Sequence, residues 1–199
     1  MILAFDTSSA ACTAALFDGS LECVSRSDEI IGRGHSERLV PMIAEMLGGR
    51  AADRIIVGVG PGSFTGIRVA IAAAHGLAIG WGAELLGMSS LALIAAGAGS
   101  DSAAAVIGGH GELFVQQFGA AGEPQGELVN APPPVAAAAT SANLVVGSGA
   151  RQLVEARGWG EAREAWPSAA DALKLPESLR NLPPRPVYAR APDARARAA

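Results

Sequence analysis

The chain has 199 residues and a formal net charge of −4, a length that fits one domain or two small lobes. Half of the residues are hydrophobic, yet only 5% are aromatic and 17% are charged, against about 25% charged residues in typical domains. The acidic balance excludes a basic field over the whole protein for nucleic acid. With 42 alanines and 25 glycines, the chain carries a surplus of small apolar residues that a membrane or a partner would have to cover.

The sequence does not favour a membrane. A span needs about 20 mainly apolar residues, and the best window, residues 69–86, contains His75 and Glu84 and directly follows Arg68. Met1-Ile-Leu-Ala-Phe-Asp has no basic region at its start, so it predicts a first strand and not a signal peptide. We therefore expect a cytoplasmic protein without membrane contact.

The two cysteines are predicted to be free. Cys12 and Cys23 have neither CxxC spacing nor a cluster of cysteines and histidines around them. A two-residue turn at Asp18-Gly19 would place Cys23 opposite Ala14 across a hairpin, which disfavours a disulfide. The sequence thus predicts two buried thiols in a reducing compartment.

The first half of the chain alternates predicted strands and helices, which is typical of an α/β fold. In the first helix Ser36 is a plausible N-cap and Pro41 predicts a kink, while Ser63 or Thr65 could cap the second helix. The predicted elements are a strand at 1–6, a hairpin of Cys12–Phe17 and Leu21–Ser25, a helix at Ser36–Leu47, a strand at Arg54–Gly60, a helix at about Thr65–Trp81, a strand at Ala83–Leu86 and a helix at Ser89–Ala98.

The second half repeats this pattern more weakly. Three prolines at 132–134 predict the end of regular structure, and the tail from Pro183 shows little periodicity. We predict an N-terminal unit at 1–100 and a smaller C-terminal unit at 101–199. The predicted elements of the second unit are strands at 103–107, 112–118, 128–130 and 144–146 and a helix at 150–157.

A glycine-rich loop, Gly58-Val-Gly-Pro-Gly-Ser-Phe-Thr-Gly-Ile-Arg68, joins a predicted strand to a predicted helix. Backbone N–H groups in such a loop can surround an anion. The spacing matches neither the P-loop, which needs Lys after its last glycine, nor the GxGxxG fingerprint. The alternative is a tight turn that lets the helix pack closely on the sheet, and both hypotheses stay open.

Asp6 ends the first predicted strand, where an acid can hold a metal ion or cap the local turn. Thr7 and Ser8 follow and supply hydroxyls where a phosphate loop usually has glycine. His35 and His75 are not followed by a second histidine four residues later, so neither completes a metal pair on a helix. We predict no catalytic residue and no metal site, with Asp6, Thr7 and Ser8 as a degenerate phosphate loop.

The two long predicted helices carry more apolar surface than one core needs. Apolar residues of the helix at 36–47 cover an arc of roughly 200°, whereas packing on one side needs a stripe of about 100°. The helix at 65–81 likewise has two stripes, one with Ile67 and Ala74 and one with Ile71 and Ile79. Either the chain itself encloses both helices or a protein partner covers their second side.

Three segments, in this order, resemble the TsaB (YeaZ) family. They are Met1-Ile-Leu-Ala-Phe-Asp-Thr-Ser, His35-Ser-Glu-Arg-Leu-Val-Pro-Met-Ile and the highly specific Gly60-Pro-Gly-Ser-Phe-Thr-Gly-Ile-Arg. Pro186-Val-Tyr-Ala-Arg-Ala-Pro-Asp-Ala adds a weaker match. The strong resemblance covers residues 1–95.

The resemblance implies an actin-like, Hsp70-like ATPase (ASKHA) fold of two similar lobes, the second reduced. It also implies a role in the synthesis of N6-threonylcarbamoyladenosine (t6A) on tRNA. In that pathway TsaD, a metal-bearing paralogue, transfers the threonylcarbamoyl group, and the ATPase TsaE acts on the pair. The chain would then be a non-catalytic subunit that binds TsaD, works with TsaE, meets tRNA through the complex and forms a homodimer when alone.

Two departures agree with a chain that has no cofactor of its own. Leu39 stands where the paralogue's second metal-binding histidine would follow His35, and Ile107-Gly108-Gly109-His110 lacks the acid that opens the fold's second phosphate hairpin. ATP or ADP would then bind only at the interface of the complex. Two alternatives stay open: a small-molecule kinase of the same fold, and a glycoprotease-like peptidase.

We predict that the helices at 36–47 and 65–81 form the partner interface. On this hypothesis Met42→Glu or Ile71→Glu abolishes the complex and leaves the fold intact. The arginine-rich tail, with Arg180, Arg185, Arg190, Arg195 and Arg197, either contacts tRNA or is merely solvated. The predicted interface residues are His35, Leu39, Met42, Ile43, Met46, Phe64, Arg68, Ile71, Ala72, His75 and Ile79.

Overall fold

The computed structural model describes residues 1–188. The strands are β1 (Ile2–Asp6), β2 (Ala11–Phe17), β3 (Cys23–Ile30), β4 (Arg54–Gly58), β5 (Glu84–Met88), β6 (Ser102–Ile107), β7 (Leu113–Phe118), β8 (Pro124–Ala131), β9 (Leu144–Val146) and β10 (Glu161–Arg163). The α-helices are α1 (His35–Leu47), α2 (Phe64–Trp81), α3 (Ser90–Ala96), α4 (Pro133–Ala137), α5 (Ala150–Arg157) and α6 (Glu177–Arg180). Short 3-10 helices span Gly109–Gly111 and Ala169–Lys174.

The strands form two five-stranded sheets with the same internal order. The first sheet runs β3-β2-β1-β4-β5 and the second runs β8-β7-β6-β9-β10. In each order, neighbours among the first three strands pair antiparallel. The last two strands run parallel to the third, which is β1 in the first sheet and β6 in the second. The described residues thus confirm the predicted α/β class and form two similar lobes.

Strands β1 and β2 are buried along their whole length. One side of the first sheet packs against α1 and α2, in a core that contains Phe5, Leu39 and Ile67. Its other side faces the second sheet across α3, in a core that contains Leu91 and Phe118. A strand buried on both faces needs an almost continuous apolar run, which is what Ile2–Phe5 supplies.

The first hairpin has a longer turn than the sequence predicted. Phe17 pairs with Cys23, so residues 18–22 form the connection. The Asp18 carboxylate accepts hydrogen bonds from the N–H groups of Ser20 and Glu22, and Leu21 adopts the left-handed region with φ 66°. The predicted register of Cys23 against Ala14 is therefore wrong. Both cysteines are free and Cys12 is buried, as predicted, but Cys23 is exposed, so the prediction of two buried thiols is wrong for Cys23.

Several predicted boundaries also differ. Helix α1 begins after Gly34, in the left-handed region, and Ser36 lies inside the helix and bonds to Glu37. The Ser63 hydroxyl caps α2 as predicted, since it accepts a hydrogen bond from the Gly66 N–H. The prolines at 132–134 do not end regular structure, because proline is tolerated in the first turn of a helix and α4 begins there.

The chain returns to the first sheet after β10. Leu182 pairs with Gly87 at the edge of β5, and the Ala169 N–H donates to the Thr13 hydroxyl over 2.7 Å. The Ser168 hydroxyl donates to the Asp28 carboxylate over 3.0 Å. Residues 168–182 of the predicted unit 101–199 thus pack against strands of the predicted unit 1–100, and the division near residue 100 stays a prediction.

Candidate functional site

Asp6 lies at the end of β1 and is fully buried. Its Oδ1 accepts hydrogen bonds from the Ser8 N–H at 2.6 Å and from the Ser8 hydroxyl at 2.7 Å. Its Oδ2 accepts one from the Ser90 hydroxyl at 2.5 Å. Burial raises the pKa of Asp6, while the bonds from Ser90 and Ser8 oppose that shift. The Asp6 carboxylate therefore caps the turn that follows β1, which is one of the two roles predicted for it.

The glycine-rich loop packs directly on this turn. A Cβ at Gly62 would lie 2.2 Å from the Ser8 carbonyl oxygen, and one at Gly66 would lie 1.9 Å from the Thr7 carbonyl oxygen. The Ser63 N–H donates to the Ser8 carbonyl, and the Thr7 hydroxyl donates to the Gly66 carbonyl over 2.7 Å. These glycines let two backbones approach closely, which supports the tight-turn hypothesis for the loop.

The two helix histidines that could have bound a metal lie in different surroundings. His35 is half-buried, and its Nε2 lies 3.2 Å from the Ala11 carbonyl oxygen. His75 is exposed on the outer side of α2. Within residues 1–188 no group of three or more His, Cys, Asp or Glu side chains could hold a metal ion.

Four of the predicted interface residues belong to the core. Leu39, Met42 and Ile43 are at most 2% exposed, and Ile71 is 8% exposed. They pack with Phe5 and other residues under the first sheet. These four side chains therefore offer a partner almost no exposed surface, and a contact through them stays a prediction. A helical period shows that a helix has an apolar side, and only the tertiary fold determines which side the core covers.

The outer side of α2 is exposed and largely apolar. Ala72 and His75 are exposed there, and Ile79 has 83% of its surface exposed. On the neighbouring α1, Val40 is exposed and Met46 is half-buried. Met46 packs against the core of the first lobe, so we call the other four residues, Ala72, His75 and Ile79 of α2 and Val40 of α1, the outer face.

Helix α2 is long and apolar enough to cross a membrane. Among residues 1–188 it is the one helix that could span a bilayer by length and composition, and 28% of it is buried in the protein. Its inner stripe, with Ile67, Ala70 and Ala74, lies in the core of the first sheet. Core helices of folded domains share this composition.

Phe64 and Arg68 lie at the start of α2, where the C-terminal segment meets the helix. The Arg68 guanidinium stacks over the Phe64 ring at 3.8 Å, and its Nε donates to the Tyr188 hydroxyl over 3.1 Å. The rings of Phe64 and Tyr188 lie 5.7 Å apart. These two predicted interface residues therefore line the space between the lobes and do not belong to the outer face.

A cleft of about 830 Å³ separates the two lobes. Much of this lining was already singled out from the sequence, in Ser8, the loop at 58–68 and residues 107–110. That these segments face one another was not predicted, because they come from distant parts of the chain. Arg190, Arg195 and Arg197 of the predicted basic tail lie outside the described residues. The described lining residues are Ser8, Ser9, Ala10, Gly32, Gly62, Ser63, Phe64, Ile67, Arg68, Val106, Ile107, Gly108, Gly109, His110, Phe114, Ser148, Trp166, Val187 and Tyr188.

Comparison with known proteins places the chain in a family. A family model described as "TsaD: tRNA N6-adenosine threonylcarbamoyltransferase" matches residues 27–142. YeaZ from Pseudomonas aeruginosa superimposes with a TM-score of 0.80 at 29% identity, over 94% of this chain and 98% of that one. The chain belongs to the TsaB (YeaZ) family. The resemblance read from the motifs is confirmed.

The curated relatives match over a shorter stretch. The tRNA threonylcarbamoyladenosine biosynthesis protein TsaB of Escherichia coli K12 is 41% identical over 103 residues, which are 49% of this chain. The matched segment spans 43% of the length of that relative.

The family's fold is the predicted actin-like one. Beyond YeaZ, the activator of the 2-hydroxyisocaproyl-CoA dehydratase of Clostridium difficile shares the fold, with a TM-score of 0.51 at 10% identity. These two matches cover 94% and 89% of this chain, which carries the two repeated sheets.

Proposed function

We propose that this chain is a non-catalytic subunit of the cytoplasmic machinery that makes t6A on tRNA, and that it docks its outer face against TsaD. The observation that carries the proposal is the exposure of Ile79 and its apolar neighbours on a helix whose other side already belongs to the core. Membership of a family with a relative named for t6A biosynthesis supports the pathway.

The outer face has the properties of a helix-docking surface. Ala72, Gly76 and Gly80 are small and exposed, so a second helix can approach α2 closely. Val40 on the neighbouring α1 adds a second large apolar side chain that is exposed. Burying a side chain such as Ile79 contributes roughly 1.5–3 kcal/mol.

A supporting role also fits the turn at the end of β1. The carboxylate of Asp6 is enclosed by Ser8 and Ser90. In this proposal the partner supplies the metal and the catalytic groups, any ATP or ADP binds where the two subunits meet, TsaE acts on the assembled pair, and tRNA binds through the complex.

The same outer face would pair with a second copy of the chain when the partner is absent. The homodimer is then weaker than the heterodimer and competes with it. A kinase or a peptidase would instead act alone, so the isolated chain would show Mg-ATP binding or proteolysis that does not depend on the outer face.

The test is a depletion and rescue experiment in cells that carry the natural protein. Depletion should lower the t6A content of tRNA, measured by nucleoside analysis, and wild-type protein should restore it. Ile79→Glu should fail to restore t6A, because docking would bury a carboxylate without a partner. Gln152→Glu makes the same change of charge at an exposed position of α5 and should restore it fully. Unchanged t6A after depletion would refute the pathway, and full rescue by Ile79→Glu would refute the docking face.

A further inference from the structure

Strand β3 forms an open edge of the first sheet. It pairs with β2 on one side, and no strand of residues 1–188 pairs with its other side. At the opposite edge of the same sheet, Leu182 pairs with Gly87 of β5. An unpaired edge presents a row of free backbone N–H and C=O groups that can bind another strand. The first sheet can therefore be extended by a further chain at β3.

The backbone groups that point outward from β3 belong to its even-numbered residues. In an antiparallel pair, successive residues point their N–H and C=O groups alternately towards the partner strand and away from it. The Ile31 N–H donates to the Ala10 carbonyl, so the odd-numbered residues point to β2. The groups of Arg26, Asp28 and Ile30 thus point away from β2. Except at its start, β3 pairs with β2 without a register shift, so these groups form a regular row.

The corresponding edge of the second sheet, β8, is less suited to pairing. Its Pro124 has no N–H group to donate, Gly126 lies in the left-handed region with φ 94°, and the register against β7 shifts along the strand. None of the exposed large hydrophobic side chains of residues 1–188 lies on β8, whereas β3 carries Val24 at 52% and Ile30 at 57% exposure. Of these two edges, β3 is the one with both a regular backbone and apolar side chains to bury.

Charged side chains on an edge normally prevent pairing, but those of β3 complement one another. Arg26 and Asp28 are both exposed, and within residues 1–188 neither forms an ion pair. When two copies of β3 lie antiparallel with Ser27 opposite Ser27, Arg26 of each copy faces Asp28 of the other. In the same register Val24 meets Ile30. A shift by two residues would instead set Arg26 against itself and Val24 against Asp28.

We propose that β3 pairs with β3 of a second copy of this chain, antiparallel and centred on Ser27, so that the first sheets of the two copies become continuous. The hydroxyls of Thr13 and Ser168 donate to the Asp28 carboxylate, which holds it in place at the edge for Arg26 of the other copy. Opposite charges on facing residues stabilise a strand pair. The inference does not rest on the proposed function, because no residue of β3 belongs to the outer face.

Disulfide crosslinking tests the register. The full chain carries Cys23→Ser, which removes the exposed thiol, and Ile79→Glu, which blocks pairing through the outer face; Cys12 is buried. In the proposed register the two Cα atoms of residue 27 lie about 4.5 Å apart, and a disulfide joins Cα atoms about 4.4–6.8 Å apart. Ser27→Cys should therefore form a covalent dimer under a mild oxidant. Ser25→Cys is the matched control and should not, because its two Cα atoms lie at least about 13 Å apart.

Sedimentation equilibrium of the full chain, again with Ile79→Glu, tests the charge pairing. Arg26→Asp should weaken dimerisation at least about tenfold, because it faces Asp28 of the other copy, and Arg26→Lys should retain most of it. Arg151→Asp makes the same change of charge at an exposed position of α5 and should leave dimerisation unchanged. Circular dichroism checks that each variant is folded.

Equal crosslinking of the Ser27→Cys and Ser25→Cys variants would overturn the proposal, as would equal dimerisation of the Arg26→Asp and Arg151→Asp variants. A chain that stays monomeric at every concentration would also overturn it, even if the edge then pairs with a strand of another protein. None of these results bears on docking to TsaD, because the outer face is blocked in every variant.

Discussion

Helices α2 and α5 occupy equivalent places in the two lobes and differ in what they present outward. Both precede the last parallel strand of their sheet, and both bury an apolar inner side, with Ile67 in α2 and Leu153 in α5. The outer side of α5 exposes Arg151, Gln152 and Glu155, whereas that of α2 exposes alanine, glycine and Ile79. The fold requires only the inner side, so the apolar outer side of α2 points to a partner.

The two hairpins at the cleft walls also differ, in the residue that ends their first strand. The first lobe ends β1 with Asp6, held by Ser8 and Ser90. The second lobe ends β6 with Ile107, whose N–H donates to the Ser148 hydroxyl and whose side chain reaches the cleft. The repeated topology therefore does not repeat the chemistry at the end of the first strand.

The largest expected effect concerns the inner side of the first lobe. Met42→Glu should unfold the protein, because it places a carboxylate in a site that is 1% exposed. An unpaired buried charge costs several kcal/mol, against a total stability of about 5–15 kcal/mol. Urea unfolding measures this, and Ile79→Glu on the outer face is the control that should keep nearly wild-type stability. A stable, folded Met42→Glu variant would contradict the assignment of inner and outer sides.

The glycines of α2 give the next largest effect. Gly66→Ala should destabilise the protein by about 2 kcal/mol or more, because the new methyl group meets the Thr7 carbonyl and forces a shift. Gly76 has open space around it, so Gly76→Ala should stabilise the helix by about 0.5–1 kcal/mol. Thermal unfolding should show a lower melting temperature for Gly66→Ala and a higher one for Gly76→Ala than for the wild type. Equal effects of the same sign would show that the loop does not pack on the turn as described.

The buried carboxyl of Asp6 should make the free energy of unfolding depend on pH. Burial raises the pKa of this carboxyl, so the folded protein holds the proton more tightly than the unfolded chain. The stability contributed by Asp6 is then complete below the pKa of the unfolded chain and is lost as pH rises through the raised pKa. In urea unfolding measured from pH 4 upward, the wild type should lose stability as pH rises, and the Asp6→Asn variant should not show this loss.

Asp18→Asn is the control for that experiment. The Ser20 hydroxyl donates to the exposed Asp18 carboxylate and lowers its pKa. The stability contributed by Asp18 is therefore present above the pKa of the unfolded chain and is lost as pH falls, which is the opposite direction. The same pH trend in both variants would contradict the described environment of Asp6.

The smallest effect concerns the two thiols. Burial raises the pKa of Cys12 to about 11, and a thiol with so little thiolate reacts slowly, whereas Cys23 is exposed. A thiol reagent should modify Cys23 in the native protein and both cysteines only in denaturant. Rapid modification of Cys12 in the native protein would show that the first lobe opens readily.

The parts of the fold that sequence reasoning found are those with an apolar signal. The run Arg54–Gly58 and the helix at α2 stand out because burial demands hydrophobic residues. Strand β10 was missed because all of its residues are exposed, and only the end of β8 was found because its first residues are exposed. Hydrophobic periodicity cannot detect an element that does not contribute to the core.

The candidate surfaces were found only in part for a related reason. Ile79 and Met42 are both apolar residues of amphipathic helices, and nothing local distinguishes the one that faces the core from the one that faces solvent. Trp166 and Tyr188 join the cleft because the chain returns to the first lobe after β10, a long-range contact that no local pattern encodes. Asp6 was correctly placed at the end of a strand, but its partner Ser90 lies 84 residues away.

The measurement that tests the central claim most directly is the affinity of the purified chain for a TsaD subunit, by isothermal titration with wild-type, Ile79→Glu and Gln152→Glu proteins. We predict binding by the wild type and by Gln152→Glu with similar affinity, and at least about a hundredfold loss for Ile79→Glu, which corresponds to about 2.8 kcal/mol. Equal binding by all three proteins would contradict a docking surface on the outer side of α2.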